Sequence, residues 1–240
     1  MALPKLDVPS YEIELPVSKK TIKFRPFLVK EQRNLLMAIE SNDSNTVHQC
    51  INDILNNCTI SELDVYKLPV VDVEYYFLNL RAKSVGEVVE TKYRCNNIVD
   101  NKECGNIMEN NVDLTQIKVD IPKDINSEIQ LTDKILIKLK YPEFGIVKDS
   151  LNIKDANQIT FNMIAQSIEY IYDGEQFHYG HEAQPGEMLE FVETMNQEQF
   201  NKVEEFFINL PKLKDTIHLK CGKCGFNHTI EVEGLENFFG

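Results

Sequence analysis

The sequence predicts an α+β fold, and three observations predict it. Short runs that alternate polar and apolar residues stand near the start of the chain and through its middle. Longer runs carry apolar residues three and four positions apart, the helical period. Four cysteines fall in two distant pairs, Cys95 with Cys104-Gly105 and Cys221-Gly222-Lys223-Cys224-Gly225. Each pair follows a strand-like run (Val88 to Arg94; Thr216 to Lys220) and precedes another (Ile107 to Leu114; Thr229 to Val232). A strand, a cysteine turn closed by glycine and a returning strand make one half of a zinc ribbon, and two halves supply the four thiolates of a tetrahedral zinc site. The predicted architecture is an N-terminal β-hairpin plus helices over residues 1–86, a zinc ribbon assembled from two distant halves (87–114 plus 213–233), an inserted α/β lobe over 115–212, and a C-terminal tail over 234–240.

The elements follow in order. Tyr11 to Pro16 and Thr21 to Arg25 alternate around a turn at Ser18-Lys19-Lys20, which predicts a hairpin with one buried face. A helix starting near Val29 or Lys30 would bury Leu28, Leu35, Leu36 and Ile39. Ser41 to Ser44 breaks it and caps a second helix striped by Val47, Ile51, Ile54 and Leu55, with Cys50 beside them. A third helix runs from Val70 to about Lys83. After the first cysteine pair, Gln116 to Ile121, Ser127 to Leu131 and Lys134 to Tyr141 alternate as strands. In the last of these Ile135, Ile137, Leu139 and Tyr141 share one face, and the opposite face, Leu136 aside, carries lysines and should meet solvent. A helix over about Ala156 to Tyr170 would bury Phe161, Ile164, Ile168 and Ile171. Asp173-Gly174 marks a hairpin turn. Met188 to Met195 is a short helix, and Asn196 with Gln199 resembles a capping box for a helix that Pro211 stops.

Composition narrows the function. With 42% apolar and 26% charged residues in 240, the chain has an ordinary soluble composition. It lacks an apolar run of about 20 residues and a basic-then-apolar leader, which predicts a cytoplasmic setting where thiols stay reduced. Cys50 and Cys58 then read as buried free thiols. A net charge of −13 opposes general nucleic-acid binding and suits steering toward a basic protein partner.

The glycine after Cys104 and after Cys224 supports metal binding, because it lets the backbone turn its N–H groups toward sulfur. The eight residues between Cys95 and Cys104 read as a looped-out turn. Arg94, Lys220 and Lys223 flank the thiolates and offset their charge. His218 and His228 are alternative ligands, and four reduced thiols or a disulfide are the alternatives to metal. Strands rather than a helix flank Cys221 and Cys224, against a thioredoxin-like redox role. A four-thiolate shell leaves no open position, so the zinc is read as structural. His178 and His181, with Asp173, Glu175 and Glu182, read as a polar hairpin tip. No phosphate-cradling glycine loop, nucleophile elbow or His-Glu-x-x-His run is present, and no enzyme is predicted.

The run Ile22-Lys23-Phe24-Arg25-Pro26-Phe27-Leu28-Val29-Lys30-Glu31, leading into Leu35-Leu36-Met37-Ala38 and Glu40-Ser41-Asn42-Asp43, resembles the base plate proteins of T-even-type contractile-tailed phages. The ending Gly234-Leu235-Glu236-Asn237-Phe238-Phe239 is consistent with the same family. The resemblance implies a virion component of the baseplate hub or a factor in its assembly, working with other tail proteins; it carries no site residues. A tail assembly chaperone absent from the mature virion is the alternative, and a zinc-ribbon nucleic-acid factor a third reading that the charge opposes. Candidate contact residues are Tyr75, Phe77, Phe206-Phe207, Phe238 and Phe239, with a helix packed on two sides as the alternative for Tyr75 to Phe77 and docking into the protein's own core as the alternative for Phe238-Phe239.

Overall fold

A computed structural model describes residues 6–150, 153 and 155–234. Phe238 and Phe239, with the rest of the tail beyond Gly234, lie outside the described residues. Helices and small antiparallel sheets together make an α+β architecture. No described helix is long and apolar enough to cross a membrane.

Strands β1 (Tyr11–Glu14) and β2 (Thr21–Phe24) form the expected hairpin, with Tyr11 opposite Phe24 and Ile13 opposite Ile22. The alternation buries Ile22 and Phe24 on one face. Its turn is pinned from outside: the N–H groups of Val17 and Ser18 donate to the two carboxylate oxygens of Asp72, each at 2.8 Å. Asp72 is fully buried in the first turn of α3 (Val70–Val85). Before it come α1 (Val29–Glu40) and α2 (Ser44–Cys58), the latter capped by the Asp43 side chain on the N–H of Thr46. Leu15, Ile22, Phe24, Leu55, Leu68, Tyr76 and Leu80 fill the core between hairpin and helices.

Helix α1 departs from its expected face. Glu31 and Ala38 are buried and Leu35 is half-buried, whereas Leu28, Leu36 and Ile39 are exposed. The cause is an ion pair that outranks the apolar pattern. Glu31 accepts from the N–H of Leu28 at 2.7 Å and from Arg25 at 3.0 Å, and Arg25 also donates to the carbonyls of Pro26 and Asn57. Burial alone would raise the Glu31 carboxyl, but Arg25, the Leu28 N–H and Lys30 together hold it below its ordinary value.

Helix α3 is packed on both sides, which accounts for its aromatic run. Tyr76 and Phe77 enter the first core, while Leu78 and Ala82 meet a second core with Val112, Leu114, Ile117, Leu213, Ile217 and Val232. Phe77 is 4% exposed, so the expectation that it offers a contact surface is corrected: a helix buried on two faces has no free side there. Tyr75 is half-buried against the second core, Phe206 is buried, and Phe207 is half-buried.

From Gly86 the chain runs through β3 (Val88–Arg94), a small hairpin of β4 (Ile98–Val99) and β5 (Lys102–Glu103), then β6 (Ile107–Asp113) and β7 (Lys118–Asp120). The lobe follows as β8 (Glu128–Gln130), β9 (Leu136–Leu139), α4 (Phe144–Ser150), α5 (Ala156–Ser167), β10 (Ile168–Tyr172), β11 (Phe177–Tyr179), α6 (Glu187–Glu193) and α7 (Gln197–Ile208). The chain returns as β12 (Lys212–Lys220) and β13 (Asn227–Glu233). Strand β12 pairs with both β13 and β7, so residues 118–120 share a sheet with the returning strands. In the lobe the order is β11-β10-β9-β8, and Ile129, Ile137, Leu139, Ile168 and Ile171 face a core completed by Ile164, Val203 and Phe206.

The helix expected to reach Tyr170 ends at Ser167, and Ile168–Tyr172 is strand instead. The run Ile-Glu-Tyr-Ile-Tyr favours the pleated state and finds β9 as a partner. Helix α4 was not expected; it follows a backbone exchange in which Phe144 N–H donates to Leu68 and Val70 N–H to Pro142.

Two stability measurements test this account. Asp72→Ala strips a buried side-chain acceptor from two backbone donors and is expected to cost about 3 kcal/mol in denaturant unfolding. Leu36→Ser, at an exposed position, is expected to shift stability by no more than about 0.5 kcal/mol.

Candidate metal centre

Two antiparallel pairs deliver the four cysteines. Strands β3 and β6 hold the first half, with Arg94 opposite Ile107, and β12 and β13 hold the second, with Lys220 opposite Asn227. The two turns are built alike. Cys95 N–H donates to Asn106 O and Cys221 N–H to Phe226 O, both at 2.8 Å. Gly105 N–H then donates back to Cys95 O at 3.0 Å, and Gly225 N–H to Cys221 O at 2.9 Å. Both glycines adopt left-handed backbone, φ +64° and +74°, which a side chain resists.

The wide gap in the first half has a specific form. Strands β4 and β5 fold the intervening residues into a hairpin whose tip, Asp100-Asn101, has φ +50° and +59°, as a two-residue type I′ turn requires. Cys104 N–H donates to Asn97 O at 2.8 Å and closes its base. Asn97 and Cys104 thus stand side by side. With the hairpin set aside, the first half reads Cys95-Asn96-Asn97-Cys104-Gly105, the same pattern as Cys221 to Gly225.

The four sulfurs lie within 4.8 Å of one another, a grouping that can hold a metal ion. Cys95 Sγ is 3.6 Å from Cys224 Sγ, and Cys104 Sγ is 3.8 Å from Cys221 Sγ. Cys95 and Cys221 are buried, and Met108 packs with them. Side-chain donors surround the sulfurs: Asn97 Nδ2 reaches Cys224 and Asn106 Nδ2 reaches Cys221, each at 3.6 Å, and His228 Nε2 lies 3.2 Å from Cys95 Sγ. Lys223 Nζ donates to Cys104 O at 3.1 Å and ties one half to the other.

These donors divide the proton affinities. N–H groups in its own turn, that of Cys224 foremost, pull the Cys221 thiol well below its ordinary value. The Phe226 N–H, then Asn97, lower Cys224. Burial pushes Cys95 up. Hydrogen bonds thus favour the charged form at Cys221 and Cys224, and burial disfavours it at Cys95.

Of the expected neighbours, Arg94 and Lys220 are exposed and Lys223 makes the contact described. His218 is exposed and lies 3.3 Å from the Thr229 hydroxyl, away from the sulfurs. His228 does approach them. Asn97 and Asn106 were not singled out in the sequence; the left-handed pair Asp100-Asn101 between short apolar and polar flanks was the signal for the hairpin that places them. Cys58 is fully buried in the N-terminal core, where burial raises its thiol to about 11, and Cys50 is half-buried. At the other hairpin tip His178 Nε2 sits 2.8 Å from Asp173 Oδ2, and that partner with two backbone N–H groups holds the Asp173 carboxyl down to about 2. Among the described residues, the four cysteines are the only metal-type grouping.

Residues 8–240 match the family described as T4 bacteriophage base plate protein, and the chain belongs to that family. It is similar to "Baseplate hub assembly protein gp26" of Enterobacteria phage T4, with 23% identity over 230 residues, which cover 95% of this chain and 97% of that protein. No solved structure matches.

Deleting Ile98 to Glu103 joins Asn97 to Cys104 and should leave the sulfur cluster intact. The shortened chain is expected to unfold within about 1 kcal/mol of the parent, since surface hairpins carry little of a fold's stability. Circular dichroism melts of the two chains check this.

Proposed function

We propose that this protein is a non-enzymatic structural or assembly component of a phage tail baseplate hub, held together by one structural zinc on Cys95, Cys104, Cys221 and Cys224. The family match over residues 8–240 carries the baseplate reading, and the relative's name supports the hub. On this reading the protein is assembled in the host cytoplasm, resides in the virion baseplate and contacts other tail proteins. The N-terminal unit (1–86) is scaffold, and the ribbon (87–114 plus 213–233) clamps the root of the lobe (115–212).

The sulfur geometry supports zinc. Tetrahedral zinc with Zn–S bonds of about 2.3 Å places its sulfurs about 3.8 Å apart. The distances of 3.6 and 3.8 Å fall on two opposite edges of such a tetrahedron. The donors at Asn97, Asn106 and His228 supply the outer hydrogen bonds that thiolate ligands commonly receive. Four thiolates close the shell, which favours a structural ion over a catalytic one.

Purified under reducing, chelator-free conditions, the protein is expected to hold about one zinc per chain by elemental analysis. Cys221→Ser is expected to empty the site and lower stability by about 3 kcal/mol, roughly 10 °C in a thermal melt. Because bound thiolates compete with protons, zinc should leave as pH falls. A metal-free wild type, or a Cys221→Ser protein as stable and as competent in assembly, would refute the zinc.

The word "assembly" in the relative's name favours a second reading, a chaperone that acts on another tail protein and leaves. Quantitative mass spectrometry of purified virions separates the two. Copies in fixed ratio to other baseplate subunits are expected here, and absence from the particle would select the chaperone.

A further inference from the structure

The four-stranded sheet of the lobe has one face on the core and one face in solvent, and the solvent face is aromatic. Register places Tyr179, Tyr170, Lys138 and Glu128 in one row across the strands, and Phe177, Tyr172, Leu136 and Gln130 in the next. Phe177 is 52% exposed and Tyr179 40%. The rings touch one another: Tyr172 and Phe177 have centroids 4.8 Å apart, Tyr170 and Phe177 5.1 Å, and Tyr170 and Tyr179 6.2 Å. A buried sheet face needs such residues, and a solvated one does not.

The platform has an acidic setting. Glu169, Glu175 and Glu182 are exposed around it, and Asp173 stands at the hairpin turn. Residues 168–182, the two aromatic strands with their turn, contain four carboxylates and no lysine or arginine. Of the lysines on this side of the 134–140 run, Lys138 is paired with Glu128 at 3.3 Å and Lys140 with Glu143 at 2.7 Å, while Lys134 is exposed at the turn before β9; the Glu128 carboxylate also accepts from the Tyr170 hydroxyl. Strand β11 ends the sheet, paired on one side only.

We infer that this face is a docking surface for an extended, arginine-bearing segment of a partner protein. Arginine fits both halves of the surface. Its planar cation lies over tyrosine and phenylalanine rings, and its fork of N–H donors meets the surrounding carboxylates. Tyrosine and arginine are also the residue types that dominate protein interfaces. Phosphate-bearing ligands, which stack on aromatics as well, meet repulsion from the rim. An extended segment can add its backbone to the open edge of β11. The inference rests on the lobe's own surface and stands whether or not the zinc or hub readings hold.

The test uses the full chain and a fluorescein-labelled peptide of alternating arginine and serine, with lysine and glutamate versions as comparisons. Saturable binding of the arginine peptide is expected, with shifts in the ring resonances of Tyr170, Tyr172, Phe177 and Tyr179. The lysine peptide should bind several-fold more weakly and the glutamate peptide not at all. The exposed double variant Phe177→Ser/Tyr179→Ser should keep the parent's unfolding midpoint and lose at least about tenfold in affinity. Unmoved ring resonances, equal binding of the lysine peptide, or undiminished binding by the double variant overturns the inference. Displacement of the arginine peptide by an oligothymidylate at that face overturns it in favour of single-stranded nucleic acid.

Discussion

Four sulfurs separated by 117 and 129 residues along the chain meet at one point, and the course of everything between them depends on that meeting. Closing a loop of this length costs chain entropy once, and the cost grows only slowly with length. A whole lobe can therefore be accommodated between the two halves, provided its ends return together. Strand β12 makes them do so, pairing with β13 on one side and with β7 on the other. One cysteine turn sits at the far end of β12 and β13, where backbone N–H groups already point at sulfur, and the other joins β3 to β6.

A second constraint joins this ribbon to the N-terminal unit. Helix α3 gives one flank to the hairpin core and the other to the ribbon core, so neither can shift without the other. Charged groups fix the remaining freedom. Asp72 holds the hairpin turn through two backbone N–H groups, and the Arg25–Glu31 pair sets which side of α1 faces inward. Removing one partner from such an arrangement leaves buried polar groups unpaired, which is why each holds its segment in place.

The same logic separates interior from surface in the lobe. Its sheet spends aliphatic residues on the helices behind it and aromatic residues on solvent. A metal-type cluster stands at the root of the lobe and an aromatic face on its outer side.

Local chemistry was legible in the sequence. Alternation predicted the first hairpin, capping residues in Ser41–Ser44 and at Asn196 predicted helix starts, Pro211 a helix stop, and paired cysteines before glycine the metal-type site. Each depends on neighbours within a few residues. What the sequence left undecided depended on partners far along the chain. Leu36 and Ile39 fit an inward stripe by spacing, yet Arg25 and Asn57 drew the Glu31 side inward instead. Ile164, Ile168 and Ile171 suit a helix by period, yet pairing with β9 turned the last two into strand. The Cys95–Cys104 gap hid a Cys-x-x-Cys-Gly turn, because only the Asn97–Cys104 hydrogen bond shows the two residues to be adjacent. Nor could spacing show that two tyrosines on β10 and two aromatics on β11 share an open face, since strand register is a tertiary fact. By itself the sequence determined most of the short segments and which four sulfurs are available; the tertiary structure decided the segments that pairing overrides and which side of each faces inward, because side-chain period leaves two faces and only packing chooses between them.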